Sequence, residues 1–211
     1  MTRRAVWRLS GRSSDSAPAV GAGWRETLTV AADLAVVGFA VTLLALPVVT
    51  LGAAVRAGSV AARAIAVDGG GFDLRGLWRV FVRSLLPGFV ATVAVCAVAG
   101  FIVVDFGAVG GGRVPGGYPV LAALGVTAAI TVAVCGLTVA RLGHDRDGSW
   151  LGALRWAARA AGRQPVAVAA VAGVLTVAAA IGVMVPFTAP ILVGYALYAL
   201  HVLAGRFAPP A

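Results

Sequence analysis

The chain has 211 residues, 60% of them hydrophobic and only 12% charged, with a mean hydropathy of +0.96. That balance excludes an ordinary soluble domain, where roughly a quarter of residues are charged, and predicts an integral membrane protein. The net charge of +9 comes from arginine alone, and without a lysine the chain carries neither a Walker-type phosphate loop nor a Schiff-base nucleophile.

In a soluble protein such a charge would suggest nucleic acid. Here the arginines lie between apolar runs, so they are expected to set topology and to meet anionic lipid headgroups, with no nucleic-acid partner. Residues 1–25 carry Arg3, Arg4, Arg8, Arg12 and Arg25 and the loop-like stretch SSDSAPAVGAG, with no short apolar core before a cleavage site. They are expected to form a basic cytoplasmic tail, not a signal peptide. One transmembrane helical domain is expected over 26–206, followed by a short cytoplasmic tail over 207–211.

The first apolar run meets Pro47 in LALPVVTLGAA. A single kinked helix over 27–55 would leave the arginine-rich tail outside the cell. A turn at Pro47 sends 27–46 out and brings about 50–67 back, and then every arginine except Arg113 approaches from the cytoplasmic side. The turn is therefore predicted, with Pro47, Thr50 and Gly52 as its motif. The returning helix, TLGAAVRAGSVAARAIAV, is rich in small residues. Its Arg56 falls roughly 12 Å from the turn by helical rise, well inside the hydrocarbon. An arginine near the bilayer centre costs roughly 2.5–3.5 kcal/mol. Gly52, Arg56, Ser59 and Arg63 share one helical face, which lets that stripe point into a bundle. The other reading lays 50–67 flat on the inner surface. Asp33, level with Arg63 across the hairpin, is expected to pair with it, either as a structural clasp or as part of a functional site.

Further along, 21 uncharged residues from Ser84 to Val104 and 27 from Val114 to Ala140 each predict one helix. The glycine cluster GAVGGGRVPGGYP at 107–119 is expected to be a flexible outer loop. From Gln164 to Gly205 there are 42 residues without a formal charge. As one helix these would be about 63 Å long, roughly twice a bilayer core. They must fold back, and PFTAP at Pro186–Pro190 marks the turn between about 165–185 and 188–205. His201 falls near the inner end of the last helix. The expected fold class is an all-α polytopic bundle of six transmembrane helices in three hairpins, 27–67, 84–141 and 165–205, or five helices if 50–67 is interfacial. Both termini are expected to be cytoplasmic.

Two cytoplasmic connectors join the hairpins. In FDLRGLWRVFVR, Leu74, Leu77, Trp78 and Phe81 follow the spacing of one helical face, and Arg75, Arg79 and Arg83 recur every fourth residue. In SWLGALRWAARAAGR, Arg155, Arg159 and Arg163 repeat the stripe, with Trp150 and Leu154 beside it. Both predict amphipathic helices at the headgroup boundary, or docking surfaces for a cytoplasmic partner. Cys96 and Cys135 lie at different depths in their runs and are expected to be free thiols. The two histidines are far apart in the sequence and the acids never cluster at ligand or acid–base spacing. No enzyme, catalytic residue, metal site or cofactor is expected.

The sequence LPVVTLGAA, a small-residue helix, a glycine-containing turn and LRGLWRVFVRSLLPGF together resemble the YesL-like proteins. These are small integral proteins of the bacterial cell membrane, grouped as a domain of unknown function. The resemblance covers roughly residues 24–105. It departs at Ala53, where the family often has proline, and in the helix that follows, where aromatic residues give way to alanine and valine. It implies an accessory role beside carbohydrate ABC importers, whose permease or ATPase subunits would be partners, and it carries over no catalytic residue. A second hypothesis is a self-contained small transporter or channel, with Asp33, Arg56 and His201 lining a shared cavity. A third is a permease subunit, since Ala157, Ala158 and Gly162 match part of the permease coupling motif, although Trp156 stands where its glutamate belongs.

Overall fold

The computed structural model describes residues 20–67, 74–112, 117–145 and 148–207. The expected tails lie outside them, apart from residues 20–25 and Phe207. Regular structure in the described residues is entirely helical. Helices α1 (Val20–Ala45) and α2 (Leu51–Val67) are followed by the short α3 (Leu74–Arg83). Next come α4 (Leu85–Gly110), α5 (Gly117–His144) and the short α6 (Trp150–Arg163). Helices α7 (Pro165–Met184) and α8 (Ala189–Phe207) complete the chain. Six of these are long and apolar enough to cross a membrane. The chain is therefore a multi-pass, all-α membrane protein, and α3 and α6 are its two short connectors.

Three boundaries differ from expectation. Helix α1 begins at Val20, inside the stretch read as loop-like tail. Helix α4 continues through Asp105 to Gly110, and α5 begins at Gly117, so most of the described residues of the glycine cluster are helical. Each glycine costs up to about 1 kcal/mol in a helix interior, but ending a helix in an apolar medium strands backbone groups at greater cost. The helix ends only where Gly112 takes φ +69°, a left-handed conformation that favours glycine.

Helix α2 is the hub. It packs against α1, α3, α4, α5 and α8. Gly52, Ala53, Ala54, Ala57, Gly58, Ser59, Ala61 and Ala62 are all buried. Lipid tails are as apolar as leucine, so helices associate in a bilayer by close packing, and small side chains allow the closest approach. A close backbone contact joins Gly52 to Gly88 of α4: a Cβ on Gly88 would come within 2.5 Å of the Ala53 nitrogen. Thr92 donates to the Gly88 carbonyl at 2.9 Å and accepts the Gly52 amide at 2.9 Å. Helices α1 and α8 meet through Gly38 and Gly194 in the same manner.

The two remaining turns share a design. Pro47 and Pro186 open single turns of tighter helix, Val48–Thr50 and Pro186–Thr188. Each closes with a threonine hydroxyl that donates back to a carbonyl, Thr50 to Pro47 and Thr188 to Val185, both at 2.7 Å. Leu46, Val48, Val49 and Phe187 are exposed on these tips. Apolar tips with internally satisfied backbone suit hydrocarbon. Past Thr92, α4 runs on for 18 residues to Gly110, about 27 Å by helical rise. The turn at Pro47 thus sits partway along α4, and the α4–α5 tip projects beyond it. The start of α4 and the end of α5 define the opposite, basic end, where α3 and α6 attach.

Gly88→Ala must push two helices apart. It should lower stability by about 1–3 kcal/mol in reversible unfolding in mixed micelles. Gly100→Ala, on the same helix with nothing within 4 Å of an added Cβ, should leave stability unchanged or raise it by up to about 1 kcal/mol.

Candidate functional site

The polar stripe of α2 faces the interior: Gly52, Arg56 and Ser59 are buried and Arg63 is half-buried. Arg56 is 7% exposed. Its guanidinium donates to the Gly148 carbonyl at 3.1 Å, in the junction between α5 and α6. Leu86 and Pro87, in the first turn of α4, line a cavity together with Arg56 and Gly148. Arg56 thus faces the protein interior, as the shared helical face of Gly52, Arg56, Ser59 and Arg63 predicts. Because the Pro47 turn sits partway along α4, Arg56 reaches the basic end, where a polar backbone receives it.

One turn further, Ser59 joins three helices. Its hydroxyl donates to the Val139 carbonyl of α5 at 2.7 Å. His201 Nε2 lies 3.0 Å from the same hydroxyl oxygen and 2.8 Å from the Ser59 carbonyl. A serine has one hydroxyl proton, and here it is spent on Val139. The proton of the His201 contact must therefore sit on Nε2, which donates to both Ser59 oxygens. His201 is 2% exposed, and its Nδ1, the acceptor of that tautomer, is buried with no hydrogen-bond partner among the described residues. Gly143 makes the approach of α5 possible, because a Cβ there would come within 2.5 Å of both Ser59 Oγ and His201 Cε1. The His144 ring lies 6.4 Å from that of His201.

The expected Asp33–Arg63 pair does not form. Asp33 is half-buried at the edge of α1, beside the buried Leu34, Val37, Gly38 and Val41. Arg63 Nε is buried with no hydrogen-bond partner among the described residues. Equal height on a hairpin fixes axial position only, and packing decides which way each side chain faces. Arg56 lines a cleft beside α4, and neither Asp33 nor His201 is on its wall. No group of three or more His, Cys, Asp or Glu residues able to hold a metal occurs among the described residues. Cys96 and Cys135 are free thiols.

At the basic end, Arg75, Arg79, Arg83, Arg155, Arg159 and Arg163 are all exposed. Leu77 and Phe81 anchor α3, and Ala153 and Ala157 anchor α6. Leu74 and Trp78, which share an apolar face with Leu77 and Phe81 by spacing, are exposed, as is Val82 among the arginines. The Ser149 side chain caps α6 by accepting the Gly152 amide at 3.1 Å. Arg141 stacks on Trp156, its guanidinium carbon 5.5 Å from the ring centroid.

Sequence reasoning missed Gly88, Thr92 and Gly143, and read Ser59 only as one member of a face. The Pro-Gly pair of LLPGF and the glycine of RLGH were the available signals. Comparison with family models, curated proteins and solved structures finds no match to this chain.

Ser59→Ala removes the hydroxyl that bridges α5 and α8, and should cost about 1–3 kcal/mol of stability by the same unfolding measurement. Nitrogen-15 spectra of histidine-labelled protein should show His201 protonated on Nε2 and bare on Nδ1. A proton on Nδ1 in the neutral ring would refute the network.

Proposed function

We propose that this chain is a non-enzymatic membrane scaffold, an accessory subunit that presents an arginine surface to a transport assembly. The observation that carries this reading is the display of six exposed arginines on α3 and α6 at one end of the bundle, each helix anchored by its opposite face. Guanidinium groups interleaved with Leu74, Trp78 and Val82 suit a partner surface that offers carboxylates and apolar contact. The YesL-like resemblance supplies the identity of the assembly in this proposal, a carbohydrate ABC importer whose permease or ATPase subunit meets the basic end. The arginine excess supports a cytoplasmic position for that end in the bacterial cell membrane.

A channel or transporter is the less favoured reading. Such a protein needs polar groups along a wet path, whereas the large cavities beside α4 are walled almost entirely by aliphatic side chains. The His201–Ser59 node is closed by close packing, which suits a helix clasp.

The test is purification from native membrane in mild detergent, with and without cross-linking, and identification of co-purifying chains by mass spectrometry. A stoichiometric permease or ATPase subunit is expected. It should be lost when the six connector arginines are changed to glutamine in a variant that keeps its helix content. Isolation of the chain alone, or only as a homo-oligomer, would sink the proposal. Orientation is checked separately in a cysteine-free background: Ser13→Cys and Gly112→Cys should label from opposite faces of intact cells, Gly112→Cys from outside.

A further inference from the structure

Beside α4 lies a cleft of two adjoining chambers, of about 690 and 680 Å³. Ala94 and Val95 of α4, Cys135 and Val139 of α5 and Leu154 of α6 line both. One chamber is walled by aliphatic side chains that also come from α2 and α8. The other reaches the basic end, where Arg56, Ser149 and Trp150 join the wall.

Each volume falls in the range of ligand sites, roughly 300–1,000 Å³. Both chambers lie between helices that cross the membrane, and α4 is the wall most exposed to lipid. An aliphatic wall gives water too few partners to stay, so hydrocarbon is the natural occupant. At the basic end the chemistry changes. The Arg56 guanidinium forms part of the wall, and the buried Trp150 Nε1–H has no hydrogen-bond acceptor among the described residues. The opening amides of α6, a helix of 14 residues, lie beside them. Arg83 lies one turn before Leu86 and Pro87 of the wall, and Arg155 follows Leu154 of the wall. No carboxylate is among the residues lining either chamber. Donors and positive charge at one end of an aliphatic cleft complement a phosphate on an acyl chain.

We propose that this cleft is a binding site for one anionic phospholipid, with an acyl chain along Ala94, Val95 and Cys135 and its phosphate at Arg56 and Trp150. The proposal does not rest on the partner reading above. The bound lipid occupies the space that separates α4 from the bundle and ties α4 to the start of α6.

The test uses the full chain and two lipids of identical acyl chains, phosphatidylglycerol and phosphatidylcholine. Native mass spectrometry should show one phosphatidylglycerol retained per chain, with about tenfold weaker retention of phosphatidylcholine. Ala94→Trp, which fills the cleft from the α4 side, should abolish retention, and Trp150→Phe should weaken it several-fold. In a Cys96→Ser background that needs no cleft variant to fold, phosphatidylglycerol should slow modification of Cys135 by an apolar maleimide, and phosphatidylcholine should not. Equal retention of the two lipids, or unaltered retention in Ala94→Trp, would mean annular lipid only and overturn the proposal. Unslowed labelling of Cys135 would overturn it as well.

Discussion

The constraint on which the rest of the structure depends is the close approach of other helices to α2. A helix ringed by alanine and glycine has almost no side-chain hydrophobic area to contribute, and in lipid that area would bring little gain. What it offers is proximity. Gly52 and Gly88 bring two backbones into contact, and Thr92 closes the contact with hydrogen bonds to both strands of the crossing. Once α2 is fixed against α4, its first turn is held partway along that helix. Arg56 is then carried to the α5–α6 junction and Ser59 to the end of α5.

The same proximity makes buried polar groups tolerable. Hydrocarbon supplies no hydrogen bonds, so each polar group must find its partner inside the protein. Ser59 does this by serving three helices at once, and Gly143 is the vacancy into which His201 fits. The histidine is a knot between α2 and α8 in this arrangement. It is not among the residues of the cleft wall, and its Nε2 proton is committed to Ser59, which is why the functional reading turns to the surface.

Much of the architecture was legible in the sequence, because membrane insertion is governed by crude quantities: run length, arginine position and proline. Pro186 turned the chain where uncharged length exceeded a bilayer, and Pro47 where a single helix would have left the arginine-rich tail outside. The misreadings have separate physical causes. Asp105 was taken as a boundary because it is charged, yet it is exposed on a helix that continues past it. Asp33 and Arg63 were matched by height, whereas facing direction follows from which residues α1 buries. The Ser59–His201 contact spans 142 positions, and neither residue belongs to a periodic pattern that would announce the other. Spacing put Leu74, Leu77, Trp78 and Phe81 on one apolar face but could not say which of them the protein buries, and Leu77 and Phe81 fill that contact.

What remains outside the packing indicates where recognition happens. On α3, burial of Leu77 and Phe81 fixes the rotation of the helix, and the stripe of Arg75, Arg79 and Arg83 is then obliged to face outward. On α6, Ala153 and Ala157 do the same for Arg155, Arg159 and Arg163. Helix α4 supplies the complementary case: having given one glycine and one threonine to α2, it leaves most of its length to lipid and opens the cleft beside it. Short side chains thus fix where the helices sit, and the large and charged ones, which the core has no room for, meet whatever lies around the protein. In a chain so poor in titratable groups, those surfaces and that cleft hold most of the chemistry available for selecting a partner.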